Sequence, residues 1–477
     1  MLLNRGRIAL VALGALLAIG THARAAGERV VGAGSQEKVN LTIYNGGNSL
    51  VHDRRRVQLE KGQNRLAWRD VSGDMDATSA ILSDLTAPGA VAMLEQNFNY
   101  DLLKPSTLLD KYVGRDVTVV HDRARPGFPA REKARILADN DGLVLQYADR
   151  IETNLNDSHL IFASIPENLR DRPTLVLDVD SAATGNQTLD LAYLTSGLGW
   201  HADYVGVVAN DERHMNLNGL VTLTNTTGTT YANARLQLVA GSVNVVEGAM
   251  RPGSTIDSYN IAAGAPRMQQ ENYFEYHLYT LGRPTTVANA QTKQVALLSA
   301  ENVPIRKTLE LRGSSVYYYN KNSDLGAKLK VRVYITFTNK GGDLGVPLPG
   351  GVFRLYKNDS RGTSQFLGSD RIDHTPRDQD VRLNVGESFD VTANKKQTDF
   401  KGLGHCTFES TYKVAVSNAK DQAEDVLVVE PIPGTWSIEA ENFPHEKTSS
   451  FTATWNLHVP ARKTTTLEYT ARVALCF

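Results

Sequence analysis

In the segment LTSGLGWHADY, Leu194 to Tyr204, a histidine and an aspartate stand two positions apart. In an extended strand that spacing puts His201 and Asp203 on one face, about 7 Å apart at roughly 3.3 Å of rise per residue. An imidazole and a carboxylate on one face are half of a metal site. A catalytic zinc takes three protein ligands, and the neighbouring sequence holds no second pair. The alternation also puts Trp200, Ala202 and Tyr204 on the opposite face, so the segment reads as scaffold: an aromatic core face backed by a polar one. Gly197 and Gly199 supply backbone freedom before the strand, and Trp200 and Tyr204 anchor it by burying large aromatic area.

Other reactive groupings are weaker. Ser35-Gln36-Glu37-Lys38 and Ser417-Asn418-Ala419-Lys420 both match SxxK, but the companion SDN and KTG motifs are missing, so neither marks an acylating serine. The stretch SDRIDHTPRDQD, Ser369 to Asp380, carries Asp370, Asp373, His374, Asp378 and Asp380. Four carboxylates suit a hard cation, yet the spacing and glycine of an EF-hand are missing, and Arg371 and Arg377 offset part of the charge. A solvated polar loop is the simpler reading. The eleven histidines are scattered, and HExxH, CxxC, P-loop and GxSxG patterns are absent. No catalytic, cofactor-binding or metal-ligating residue is assigned, and no cofactor is expected.

The elements that must position these groups are strands. In VRVYITFTN, Val331, Val333, Ile335 and Phe337 alternate with polar residues, and LTIYN, ARLQLVAG, VRLNV, TYKVAVSN and FTATWNLHV repeat the pattern between turn-forming clusters. One short helix is expected near 105–113, where PSTLLDKY places Leu108, Leu109 and Tyr112 at helical spacing. The fold class is therefore all-β: several antiparallel β-sandwiches with few short helices. The expected organisation is a leader at 1–25, an N-terminal β region at 26–182, a central β domain at 183–320 with a long loop at 247–271, and a C-terminal sandwich at 321–477.

The leader reading rests on Arg5 and Arg7, the apolar run IALVALGALLAIG and the Ala23-Arg24-Ala25 cleavage pattern. The run is shorter than the roughly 20 residues of a comfortable membrane span, so a periplasmic or secreted chain starting at Ala26 is expected. The formal net charge of −1 drops to −4 without the leader's three arginines, leaving no excess of positive charge for nucleic acid. Two cysteines, Cys406 and Cys476, are expected to pair in an oxidising compartment, the alternative being two buried thiols.

Four long segments carry a resemblance: YLTSGLGWHADY, GLVTLTNTTGTTYANARLQLVAGSVN, YFEYHLYTLGRPTTVANAQTKQVALLSA and GTSQFLGSDRIDHTPRDQDVRLNVGESFDV. In this order they resemble the bacterial family called domain of unknown function 4139, and EQNFNYDLLKPSTLLDKYVGRDV resembles the N-terminal half of its longer members. The resemblance implies an exported, β-rich protein without an established activity. A more distant likeness to mucoidy inhibitor A type proteins, through the C-terminal domain, implies a cell-envelope setting.

The expected function is non-enzymatic: a binding or structural β-sandwich protein of the envelope, with another envelope protein or a glycan as partner, no nucleic acid, and no stable membrane insertion of the mature chain. Two other classes stay open. One is an envelope hydrolase whose groups converge only in space, drawn from His201, Asp203, His374 and the Asp370 to Asp380 loop. The other is an outer-membrane barrel, since Leu467, Tyr469, Ala471, Val473, Leu475 and Phe477 alternate up to a terminal aromatic.

Overall fold

The computed structural model describes residues 27–121, 129–155, 157–166, 169–241, 268–322 and 325–475. The expected leader, most of the 247–271 stretch and Cys476 lie outside them, whereas Gln269–Tyr273 is a strand. The architecture is all-β, built of several sheets, with one α-helix among the described residues, Pro105–Tyr112. No described helix is long and apolar enough to cross a membrane.

The chain divides into two compact units. Among the described residues, the first gathers those up to 36, 55–71 and 82–190, and the second 37–54, 72–81 and those from 191 on. Within the first, a four-stranded sheet runs in the order Arg29–Val31, Gly62–Arg69, Thr174–Ser181, Val91–Asn99. Arg55 is fully buried there, where its guanidinium donates to the Val31 carbonyl at 2.6 Å and lies 4.9 Å from the centre of the Trp68 ring. A five-stranded antiparallel sheet centred on Arg131–Ala138 and Asp116–His121 packs with the helix around a core of Tyr112, Val119, Ile136 and Leu145.

The second unit holds a five-stranded sheet in the order Gln291–Pro304, His214–Asn225, Leu198–Val208, Gly351–Asn358, Ser364–Ile372. It also holds a nine-stranded sheet that starts at Thr435–Glu441, passes through Thr407–Asn418, Asp380–Gly404 and Leu329–Thr338, and ends at Thr452–Val459 and Glu446–Ser449. The two ends of this sheet share one core: Trp455, from one end, stacks on Tyr469, from the other, with ring centres 4.6 Å apart. The sheet therefore folds over itself as a sandwich, which is how strands with one apolar face cover it. Alternation along Leu329–Thr338 buries Val331, Ile335 and Phe337, as their spacing predicts.

Most described pairings are antiparallel. Four described strand pairings are parallel: Arg29–Val31 with Gly62–Arg69, Gln36–Tyr44 with Tyr231–Ala240, Leu198–Val208 with Gly351–Asn358, and Arg306–Arg312 with Glu424–Pro431. Each joins strands far apart in sequence, because parallel partners cannot be linked by a tight turn.

Candidate functional site

The strand Leu198–Val208 buries Leu198, Trp200, Ala202 and Tyr204. Gly197, at φ +80°, precedes it in the left-handed region, and a Cβ there would come within 2.5 Å of an Asp74 carboxylate oxygen. Tyr204 stacks on Phe353 with ring centres 5.6 Å apart, and its hydroxyl donates to the Pro349 carbonyl at 2.8 Å. On the other face, His201 Nε2 leans to 3.2 Å from Asp203 Oδ2. Asp203 is buried rather than solvated, because Thr222 and Arg354, from the two flanking strands, donate to its oxygens at 2.6 and 2.8 Å. Burial opposes its ionisation, but the hydrogen bonds from His201, Arg354 and Thr222 prevail and hold the carboxyl well below the usual range. Asp203 thus serves as a joint between three strands.

The residues of the acidic stretch have separate partners. Asp370 accepts from the Asn384 amide at 2.7 Å, Asp380 accepts from the Thr338 hydroxyl at 2.6 Å, and His374 Nδ1 accepts from the Gly350 amide at 3.1 Å. Among the described residues no group of three His, Cys, Asp or Glu is placed to hold a metal ion. His121 meets a hydroxyl, that of Ser158 at 2.8 Å, while His201, His214, His445 and His458 each meet a carboxylate.

A cavity of about 370 Å³ opens in the second unit, bordered by its five-stranded and nine-stranded sheets. Val208, Ile305, Val333 and Ile335 form an apolar wall. Beside it runs a chain of alternating charges. Lys357 Nζ and Lys307 Nζ each donate to Glu212 at 2.6 Å, Lys307 lies 3.6 Å from Glu424, and Lys420 donates to Glu424 at 2.7 Å. Glu212 sits in the turn between Leu198–Val208 and His214–Asn225 at φ +56°, a backbone state that side-chain-bearing residues rarely adopt. The two lysines bring its carboxyl down to about 2, so it is charged at any physiological pH.

At the cavity's rim the strand Asp380–Gly404 bulges. Glu387 pairs with Arg332 and Thr392 with Lys330, so Ser388 to Val391 stand opposite the single residue Val331. The bulge is held in place: Val391 N donates to Ser388 Oγ at 3.2 Å and Ala419 N to the Asp390 carbonyl at 2.8 Å. Phe389, projecting from it, is 94% exposed. An aromatic ring standing in water beside an apolar wall and a row of donors and acceptors is an arrangement suited to a ligand with one apolar face and many hydroxyls.

Of Glu212, Lys307, Lys357, Lys420 and Phe389, the sequence points only to Lys420, through an SxxK match that marks no acylating serine. They come from five separate places in the chain and share no spacing. The fold and the cavity define an all-β, multi-sheet protein with a partly apolar, ion-lined pocket. No family model matches the chain, and no curated protein matches it.

Proposed function

We propose that this protein is exported to the cell envelope and acts there by binding, with a glycan as ligand in the cavity beside Phe389. The observation that carries the glycan reading is Phe389 itself, a fully presented ring held by an ordered bulge. Pyranose rings offer a C–H face to an aromatic ring, and charged side chains make the stronger hydrogen bonds to hydroxyls. A cavity of about 370 Å³ lies in the range of small-ligand sites. Support for export comes from the arginine, apolar-run and A-x-A pattern of the leader, and from the resemblance to the exported family called domain of unknown function 4139.

Calorimetric titration with soluble oligosaccharides released from peptidoglycan and lipopolysaccharide tests the ligand class. Saturable binding is expected, with Phe389→Ala weakening it about tenfold, the loss of roughly 1.4 kcal/mol of stacking and burial. Heat signals that neither saturate nor respond to Phe389→Ala would exclude the glycan reading.

The Cys406–Cys476 disulfide belongs to the same proposal. Cys406 accepts a backbone hydrogen bond at 2.9 Å from Leu475, the residue preceding Cys476. Closing a loop of about 70 residues stabilises by roughly 4 kcal/mol on the chain-entropy estimate. Intact-mass measurement of envelope-extracted protein, with and without thiol alkylation under denaturing conditions, checks leader and bridge together. The expected species begins at Ala26 and takes up no alkyl group until it is reduced. A chain retaining Met1, or two alkyl groups before reduction, would count against export or pairing respectively.

A further inference from the structure

We propose that Lys395 and Glu430 condense into an intramolecular amide, a covalent staple across the interior of the C-terminal sandwich. Lys395 lies on Asp380–Gly404 and Glu430 on Glu424–Pro431, strands kept apart in the sheet order by Leu329–Thr338 and Arg306–Arg312. They therefore meet across the core, not as ladder neighbours. Both side chains are 1% exposed, and Lys395 Nζ stands 2.6 Å from Glu430 Oε2. Tyrosines enclose them. Tyr318 OH reaches Glu430 Oε2 at 3.3 Å, Tyr469 OH lies 3.1 Å from Nζ, and the Tyr317 and Tyr412 ring centres are 4.8 and 4.7 Å from Nζ. Gly313 backs the carboxyl so closely that a Cβ there would stand 2.1 Å from Oε2 and 2.5 Å from Cδ. Glu430 Oε1 is buried with no hydrogen-bond partner.

As an ion pair this arrangement is costly. Two charges are desolvated, and one carboxylate oxygen is left without a donor. Burial pushes the Lys395 ammonium below its ordinary range, toward the neutral amine that can act as a nucleophile. A proton passing from ammonium to carboxylate leaves amine and acid in contact, and such held pairs react as though each were present at about 10⁵ M or more. The Nζ lone pair attacks Cδ, charge develops on Oε1, and the Tyr318 hydroxyl, which donates to Oε2, stabilises that oxygen as it departs. A proton from Nζ then passes to the departing hydroxyl, the Cδ–O bond breaks and water leaves. One ammonium and one carboxylate are consumed, one amide and one water are formed, and no oxidant or co-reactant is needed. The product carries no charge, and it has the Tyr318 and Tyr469 hydroxyls at hand.

The test is the intact mass of the full mature chain after reduction of any disulfide. It is expected to be lighter than its sequence by one water, and digestion should release a branched peptide joining the Lys395 segment to the Glu430 segment. In the denatured protein Lys395 should resist an amine-labelling reagent. Lys395→Arg keeps the cation but lacks the primary amine, so it should appear at full sequence mass; Lys395→Met is the substitute should the arginine variant fail to fold. A wild-type chain at full mass with Lys395 labelled, or a water loss mapped to any other residue, overturns the proposal. Neither outcome bears on glycan binding, which is read at a separate site.

Discussion

Truncating Glu430 to alanine is expected to lower the free energy of unfolding by at least about 3 to 5 kcal/mol, the cost of stranding buried Lys395 without its partner, with the loss of the Lys395–Glu430 amide adding to it where that bond has formed. The location makes the upper part of that range the better expectation. Glu430 is fully buried, Lys395 is 1% exposed, and the hydroxyls of Tyr318 and Tyr469 are already bonded to each other at 2.9 Å. Left alone, Lys395 would keep only the Tyr469 hydroxyl, 3.1 Å away, and the faces of four rings. Cation–π attraction offsets about 2 kcal/mol at a desolvated site, less than the penalty of an unpaired buried charge. The double variant Lys395→Met, Glu430→Leu removes both charges and is expected to be more stable than Glu430→Ala. Urea melts of the wild type and both variants check this. A single variant within about 1 kcal/mol of wild type, a change typical of surface sites, would mean that water or a shifted backbone reaches the ammonium.

This pair was not read from the sequence, although both residues fall on the inward side of the alternation once the pattern is followed past its apolar members. Val391, Ala393 and Lys395 share the inward parity, as do Val426, Val428 and Glu430, and all six are buried. Lysine and glutamate at such positions break the apolar series, and opposite charges at two breaks point to each other across the core. Other features were hidden from period-two reasoning by a local exception. Counting by twos from Val381, Leu383 and Val385 places Phe389 inside. Two irregularities defeat that count: Val385 is an extra residue between the pairs Tyr334–Asn384 and Val333–Gly386, and the larger bulge at Ser388 to Val391 follows it. The ring turns into water because extra residues on one strand shift the side chains after them relative to the partner. Inward parity resumes at Val391.

The charge chain at the cavity could not be read from the sequence for a different reason. Glu212 is in a turn, Lys307, Lys357 and Lys420 come from strands or strand ends more than 90 residues downstream of it, and only sheet order brings them together. Asp203 is an intermediate case. Period-two logic put it correctly on the face away from Trp200, but nothing local announced that Arg354 of the parallel strand Gly351–Asn358 would bury it.

Trp200→Ala is expected to cost about 3 to 5 kcal/mol, while its neighbour His201→Ala is expected to cost less than about 0.5 kcal/mol. The two residues are adjacent on one strand and have opposite environments. Trp200 is 6% exposed, lies opposite Leu223 on the paired strand and is 6.5 Å from Tyr279 between ring centres. His201 has a half-exposed side chain, and its contact is with Asp203, which keeps Arg354 and Thr222 when the imidazole is removed. An exposed partner added to an already paired carboxylate contributes little. The ring of Trp200 works by area and shape alone, since its Nε1 is buried without a hydrogen-bond partner. Trp200→Phe therefore loses no hydrogen bond, removes an unsatisfied donor, and should recover most of the stability that alanine loses. Denaturant melts of the three variants decide the matter: if His201→Ala proves the most damaging, or if Trp200→Phe is as unstable as Trp200→Ala, the strand is not held by its aromatic face and the imidazole has a role beyond its contact with Asp203.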